Sequence, residues 1–207
     1  APLMETDPKA QYAFEALKLD QIEFYSEVEL NYDEDGQALS LDDSYLDLGK
    51  FGRLESEAKI GGIPRAAFEN PNERTLSSIA FTGNLVGASL NFQDFGGTKR
   101  VLAAAAAEQK VSASDLQEAL LLQMPLLLQQ LDRPAFAQDV RDKVGEFLKN
   151  PSKILVELGL KSPVAMLQIA GAASESPGAL VDLLQPVLEV RRSRRPEIYG
   201  LSCLKVN

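Results

Sequence analysis

The sequence predicts an α+β protein in which a large antiparallel sheet packs against a Leu- and Ala-rich helical segment. Apolar residues alternate with polar ones through most of the first 95 residues, which is the pattern of half-buried strands. Beyond Gly96-Gly97 the apolar spacing becomes helical, with an unbroken alanine run at 103–107, and strand patterns return near residue 153. These changes divide a single domain, 1–207, into a mainly β part at 12–95, a helical part at 97–150, a β/α return at 153–192 and a tail at 193–207.

The β part is expected to form an antiparallel meander of about four to six strands with one apolar face. Asp35-Gly36 predicts a hairpin turn because both residues tolerate positive φ. Residues 64–74 are interpreted as a connection, and the change of parity between Gly83 and Gly87 predicts a turn or bulge. The alternating apolar positions are Leu17, Leu19, Ile22, Phe24, Val28, Leu30, Tyr32, Leu39, Leu41, Leu46, Leu48, Leu54, Ala58, Ile60, Ile79, Phe81, Ala88, Leu90 and Phe92.

Three helices are predicted in the helical part. The first spans residues 99–110, and the second begins at Ser112 or Ser114, with Gln117 as the capping-box partner of Ser114. The second helix extends to about residue 131, and Pro125 is expected to kink or split it. The third begins at Arg133-Pro134 and ends at Asn150-Pro151, with apolar residues at helical spacing between them.

Strands are expected again in the last third of the chain. Ile154, Val156 and Leu158 alternate, and a further strand is predicted from residue 164 to residue 169. A short helix follows from Ser176-Pro177 to Gln185-Pro186, and the last strand contains residues 187–190.

Composition limits the chemistry that this chain can perform. The 207 residues include no histidine and one cysteine, Cys203, which excludes Ser-His-Asp and Cys-His catalysis and nearly all zinc chemistry. The net charge of −9 argues against nucleic-acid binding, and no apolar run reaches the roughly 20 residues of a membrane span. The composition therefore favours binding over catalysis.

One motif has the spacing of a metal site. Asn31, Asp33, Asp35 and Asp42 occupy positions 1, 3, 5 and 12 of a calcium-loop pattern, with Gly36 at position 6. Asn at position 1 and Asp at position 12 depart from that pattern, and the flanking residues alternate like strands. The alternative is a solvated hairpin tip. Calcium is the one cofactor that the sequence offers, and otherwise none is expected.

Two other groups of carboxylates, Glu27/Glu29 and Glu55/Glu57, are spaced two apart. Each pair is expected on the wet face of a strand, where acidic residues discourage aggregation. A carboxylate-dependent hydrolase, assisted by calcium, remains the third functional hypothesis.

The segment at 120–128 is apolar on almost every side of a helix. It forms either plain core or a surface for an apolar ligand or partner. The second interpretation places ligand contacts at Leu121, Met124, Leu127 and Leu128.

The basic cluster Arg191, Arg192, Arg194 and Arg195 interrupts an otherwise acidic chain. It is a candidate for peripheral contact with anionic lipid headgroups. The alternatives are a solvated tail and a contact with acidic residues of the same or a neighbouring chain.

Residues 147–151, Pro163-Val164 and Ser176-Pro177 with the Leu-rich turn after it resemble the C-terminal half of uncharacterised exported proteins of Gram-negative bacteria. The resemblance covers about residues 90–190, and it implies a periplasmic or secreted location, with the cytoplasm as the alternative. The start at Ala1-Pro2 also suits cleavage behind small residues. The leading hypothesis is a non-enzymatic envelope protein that binds an apolar, lipid-like ligand or an envelope partner. The second is a structural or regulatory protein-interaction module.

Overall fold

The structure is a computed structural model that describes residues 24–69 and 73–191. Its strands are β1 (Tyr25–Asp33), β2 (Ala38–Asp47), β3 (Gly52–Gly61), β4 (Asn84–Asp94), β5 (Lys153–Leu158), β6 (Val164–Ala165) and β7 (Pro186–Arg191). The helices are α1 (Ala66–Glu69), α2 (Glu73–Thr82), α3 (Gly97–Gln109), α4 (Ala113–Leu128), α5 (Pro134–Lys149), α6 (Met166–Glu175) and α7 (Pro177–Leu184). This arrangement confirms the α+β class.

In the described residues the strands form one antiparallel sheet in the order β1-β2-β3-β4-β5-β7, and the short β6 pairs with β4. The first four strands make the predicted meander, each paired with the next along the chain. Leu30 pairs with Leu41, Leu41 with Ala58, and Ala58 with Ala88, so these residues share one face. The acidic and basic residues between them fall on the opposite face.

The predicted parity change in β4 is a β-bulge. Lys59 pairs with Gly87 while the next residue, Ile60, pairs with Leu85, which leaves Val86 as the extra residue of β4. The bulge keeps Leu85 and Ala88 on the same face although they are three residues apart.

The helical segment follows the sequence prediction closely. Ser112 caps α4, because its hydroxyl accepts the N–H of Asp115 at 3.0 Å while the Asp115 carboxylate accepts the Ser112 N–H at 3.4 Å. The predicted partner Gln117 was therefore wrong, since the capping box needs the residue three places after the cap.

Pro125 lies inside α4, which continues to Leu128 and then tightens into a 3-10 turn at Gln129–Leu131. Pro134 opens α5 as expected.

Two predicted strand segments are helical. Ile79 and Phe81 lie in α2, and Gly83 ends that helix by donating its N–H to the Ile79 carbonyl at 2.7 Å. Two apolar residues spaced two apart are too few to separate a strand from a helix. The second segment is the strand predicted at 164–169: the observed strand ends at Ala165, and the residues from Met166 onward form α6. The interval 64–74, interpreted as a connection, likewise contains α1 and the start of α2.

Several predictions concern residues outside the described part of the chain. These are the alternating positions Leu17, Leu19 and Ile22, the tail at 193–207 and Cys203. Within residues 153–191, β5, α7 and β7 are confirmed.

The helices cover the apolar face of the sheet incompletely. Phe147 of α5 packs edge-on against Phe92 of β4, with ring centroids 6.1 Å apart. Two residues earlier on the same strand, Leu90 remains 45% exposed although β4 is a central strand. Among the described residues, no large side chain is completely buried. The fold therefore leaves apolar surface accessible between its two layers.

An ion pair ties the start of α5 to α7. The Arg133 guanidinium donates from Nε to Asp182 Oδ1 at 2.6 Å and from Nη2 to the other carboxylate oxygen. This bidentate hydrogen bond lowers the pKa of Asp182 and raises the pKa of Arg133. The contact joins residues 49 positions apart in the sequence, and so it fixes the two helices relative to each other.

Replacing Asp182 with Asn is expected to destabilise the protein at neutral pH. Because folding lowers the Asp182 pKa, the ion pair contributes stability above the ordinary carboxyl pKa of about 4 and loses it as the pH falls through the lowered value. The difference between wild type and Asp182→Asn, measured by urea unfolding at several pH values, should therefore shrink towards zero in acid. The matched control is Asp139→Asn, an exposed carboxylate of α5. An equal pH dependence in both variants would contradict the assignment.

Candidate functional site

A cavity of about 500 Å³ opens at the end of the sheet where β2 turns into β3. It lies between the sheet and helices α3 and α5. The described residues that line it are apolar apart from the Thr98 hydroxyl, and none of them is charged: Leu48, Phe51, Phe92, Gly97, Thr98, Val101, Leu102 and Leu148. Concave apolar sites of about 300–1,000 Å³ are the usual form of small-molecule sites in proteins.

The β2–β3 turn presents Leu48 and Phe51 to this cavity. The Leu48 N–H donates to the Gly52 carbonyl at 2.8 Å, and the Phe51 N–H donates to the Leu48 carbonyl at 3.2 Å. The Asp47 carboxylate accepts the N–H of Gly49 at 2.7 Å, and Gly49 has a φ of 58°, which glycine adopts without strain. The β2–β3 turn thus places the side chains of Leu48 and Phe51 at one end of the sheet.

Helix α3 is held against that turn through its first residues. The Phe51 carbonyl accepts the N–H groups of Phe95 at 3.0 Å and Gly97 at 3.1 Å. The Asp94 carboxylate accepts those of Gly96 at 2.8 Å and Thr98 at 2.7 Å, which satisfies donors at the helix start. Gly97 is required here, because a Cβ would lie 2.5 Å from the Phe51 carbonyl oxygen.

The cavity is open to solvent. Val101 of α3 is 49% exposed, and the neighbouring Phe95 is exposed to a similar degree. Phe51, Phe92, Leu102 and Leu148 are half-buried. An apolar molecule could therefore enter from the side of α3 and remove these surfaces from water.

The four ligand residues predicted on α4 lie away from this cavity. Leu121 packs on α5, where its Cδ atoms lie 3.6 Å from the place that a Cβ of Gly145 would occupy. Met124 and Leu128 are half-buried, and Leu127 is 76% exposed. Leu128 also lines a smaller cleft of about 360 Å³ with Pro125, Arg133 and Arg141. Their role in binding stays a prediction.

The residues of the calcium-loop pattern form a hairpin. Asn31 of β1 donates to the Asp42 carboxylate of β2 at 3.0 Å, and the Ser40 hydroxyl donates to the same oxygen at 2.8 Å. These two hydrogen bonds, that from Asn31 foremost, lower the pKa of Asp42. The Asp33 carboxylate accepts the N–H groups of Asp35 at 3.1 Å and Gly36 at 3.0 Å. Asp33 thereby stabilises the predicted turn, although the positive φ that was expected at Asp35 and Gly36 is found at Gln37, with φ 46°.

Across residues 24–69 and 73–191, no three acidic or cysteine side chains converge as a metal site would need. Calcium binding at this hairpin therefore remains a prediction from spacing alone.

The predicted basic cluster is described only at its first residue. Arg191, at the end of β7, donates to the Glu189 carboxylate at 2.6 and 2.9 Å. Arg192, Arg194 and Arg195 lie outside the described residues. The contact of this cluster with a membrane stays a prediction.

The opposite face of the sheet carries a polar groove of about 920 Å³. At its floor Asn91 is buried and donates to Glu55, which also lies 3.8 Å from the Lys153 ammonium and 3.4 Å from Arg53. The Arg53 guanidinium stacks on the Tyr45 ring at 3.8 Å. Glu55, which the sequence placed on a wet strand face, is thus partly enclosed by charges of opposite sign.

Sequence reasoning missed the apolar cavity because its lining comes from four separate elements. One signal was available: Gly96-Gly97 marks the change from strand to helix, and two adjacent glycines often mark a close backbone approach. That signal locates the junction, whereas the cavity beside it depends on how α3 and α5 pack.

A family model described as "Uncharacterized protein" matches residues 45–190, which is most of the chain. No curated protein and no solved structure matches this sequence. Over the described residues, none of the helices has the length and apolar character that crossing a bilayer would need.

Replacing Gly97 with Ala should destabilise the junction beside the cavity. The new methyl would meet the Phe51 carbonyl oxygen at 2.5 Å and its Cα at 2.6 Å, and such overpacking costs about 1–3 kcal/mol. Gly87→Ala in β4 is the control, because a Cβ there meets nothing within 4 Å. Urea unfolding of both variants measures the difference. Equal urea midpoints for the two variants would show that the start of α3 does not pack tightly against the β2–β3 turn.

Proposed function

The chain belongs to a family of uncharacterised proteins, which assigns it no activity, and we propose that it is a non-enzymatic binding protein for an apolar ligand of the acyl-chain class. The observation that carries this proposal is the cavity of about 500 Å³ beside α3, in which none of the described lining residues is charged. An acyl chain needs such a surface, because it offers no polar group for hydrogen bonding along its length.

The energetics of the cavity favour chain-like ligands over polar ones. Each methylene group transferred from water contributes about 0.8 kcal/mol. Phe51, Phe92 and Leu148 supply aromatic and aliphatic surface on the two sides of the cavity. A polar ligand would lose its hydration here, and among the described lining side chains it would find a hydrogen-bonding group at Thr98 alone.

The charges of the described residues support binding rather than catalysis. The carboxyl groups with a displaced pKa, Asp42 and Asp182, are both displaced downward by hydrogen bonds. A lowered pKa keeps a carboxylate ionised at neutral pH and makes it a poor general acid or base. Neither residue lines the apolar cavity. The chain contains no histidine, and among the described residues no carboxylate or lysine lines the cavity.

The location of this function is proposed on sequence grounds. The resemblance over about residues 90–190 to exported proteins supports an envelope location, where acyl chains are abundant. Osmotic release of the periplasm from cells producing the full chain, followed by immunoblotting, would test it. Retention of the protein with the cytoplasmic fraction would contradict the envelope location without affecting the proposed ligand class.

The ligand class is tested with a fluorescent fatty-acid analogue whose emission increases in apolar surroundings. Titration of the wild-type protein should give saturable binding. Val101→Asp places a carboxylate at the cavity mouth and should weaken binding by tenfold or more, since every 1.4 kcal/mol of desolvation cost is a factor of ten. Organic extraction of the purified protein with mass spectrometry provides a second readout through any co-purified lipid.

Leu122→Asp is the matched control for this experiment. Leu122 is 72% exposed on α4 and is absent from the cavity lining, so its replacement should leave binding unchanged. Wild-type protein that binds no probe would refute the ligand class. A larger loss with Leu122→Asp than with Val101→Asp would move the site to α4, where the sequence had placed it.

A further inference from the structure

The proposed function does not use the polar groove of about 920 Å³, which lies on the face of the sheet opposite the helices. In the strand register Glu57 of β3 pairs with Ser89 of β4, and Ser89 pairs with Glu157 of β5. These three residues line the groove and form one row across it. Because neighbouring strands lie about 4.8 Å apart, the backbones that carry the two carboxylates are about 10 Å from each other.

Two of the three cations that line the groove already hold carboxylates. The Lys153 ammonium lies 3.8 Å from the Glu55 carboxylate, and Arg191 donates to Glu189 of its own strand. The third cation, Lys59, is exposed and makes no ion pair with another described residue. The positive charge of the groove is therefore largely engaged.

The carboxylates of the row are not neutralised in this way. Over residues 24–69 and 73–191, neither Glu57 nor Glu157 makes an ion pair, and Glu57 accepts a hydrogen bond from the Ser89 hydroxyl at 3.5 Å. Both glutamates are exposed. The row thus offers two hydrated carboxylates, with a hydroxyl between them and no cation bound to either.

A buried amide oxygen beside this row also lacks a donor. Asn91 lies two residues from Ser89 on the same face of β4, lines the groove and is 7% exposed. Its amide nitrogen donates to Glu55, and since a carboxylate only accepts, this contact fixes the orientation of the amide. The other atom, Oδ1, is buried and has no hydrogen-bond partner among the described residues. Such an acceptor costs free energy until a donor reaches it.

These groups select a ligand that is positively charged and rich in donors. An ammonium group has three donors and no acceptor, which suits two carboxylates, a hydroxyl and an unpaired amide oxygen. A metal ion is a poor match, because no three acidic side chains of the described residues converge.

The spacing of the row favours two ammonium groups over one. A short methylene chain with an ammonium at each end spans about 10 Å once a hydrogen bond is added at both ends. Leu155 precedes Glu157 by two residues on the same face of β5 and lines the groove, so it offers apolar surface to the methylene groups.

We propose that the groove binds an aliphatic diamine or polyamine, with one ammonium group at Glu57 and one at Glu157. The Ser89 hydroxyl and Asn91 Oδ1 accept further hydrogen bonds from the bound amine. This site is independent of the proposed acyl ligand, because it uses the opposite face of the sheet. Loss of amine binding should therefore leave binding of the fatty-acid probe unchanged.

Isothermal titration calorimetry of the full chain with putrescine tests the proposal, in about 0.1 M salt so that general attraction between charges is screened. Wild-type protein should bind putrescine saturably. Glu57→Gln and Glu157→Gln each remove one charge with little change of shape, and each should weaken binding by about threefold or more. The expected loss is modest because both carboxylates are exposed to water. The double variant should give no measurable binding.

Glu146→Gln is the matched control, since it removes an exposed carboxylate of α5, which packs on the other face of the sheet. It should bind putrescine like the wild type. Butylamine, which has one ammonium group, should bind the wild type about threefold or more weakly than putrescine does, and this comparison needs no variant that folds.

Equal loss of binding in Glu146→Gln, or equal affinity for the two amines, overturns the proposal. So does wild-type protein that binds no putrescine. That last result is also the one expected if the arginines of residues 192–195 already hold the two carboxylates.

Discussion

Two backbone hydrogen bonds to the Phe51 carbonyl oxygen, from the N–H groups of Phe95 and Gly97, hold the helical layer to the end of the sheet. They join the β2–β3 turn to the point where the chain leaves β4 and begins α3. Asp94 strengthens the junction by capping α3 from the last residue of the strand. Because this junction fixes where α3 starts, it also fixes one wall of the apolar cavity, and α5 supplies the other through Leu148.

The two faces of the sheet are stabilised by different interactions. On the helix side, side chains such as Phe92 gain stability from burial, but the helices leave Leu90 partly exposed to water. On the other side, the Asn91 amide donates to the Glu55 carboxylate, and the Lys153 ammonium lies 3.8 Å from that carboxylate. A charged group in such a groove must keep partners of opposite sign, because burial without them would raise the free energy of the fold. This difference supports assigning acyl-chain binding to the apolar side.

Local sequence was sufficient for most of the architecture. The meander, the bulge at Val86, the Pro134 start of α5 and the β7 strand each follow from periodicity or a terminal residue. Ile79, Phe81 and the residues from Met166 onward were wrongly predicted as strand, because a short apolar run has the same appearance in both structures. The position of the cavity could not be predicted from local sequence. Its lining residues Leu48, Phe92, Val101 and Leu148 lie far apart in the sequence and come together only when the helices pack on the sheet. The ligand surface that the sequence predicts lies on α4, in a different part of the structure, and it stays a prediction.

The exposed Leu90 has a thermodynamic consequence. The part of the Leu90 side chain that is already exposed in the folded state adds nothing to the heat-capacity change of unfolding, because that change is set by the apolar surface newly exposed to water. A domain with few completely buried side chains thus has a flatter dependence of stability on temperature than a well-packed domain of the same length. The free energy of unfolding of such a domain therefore falls less steeply as the temperature moves away from the temperature of maximum stability.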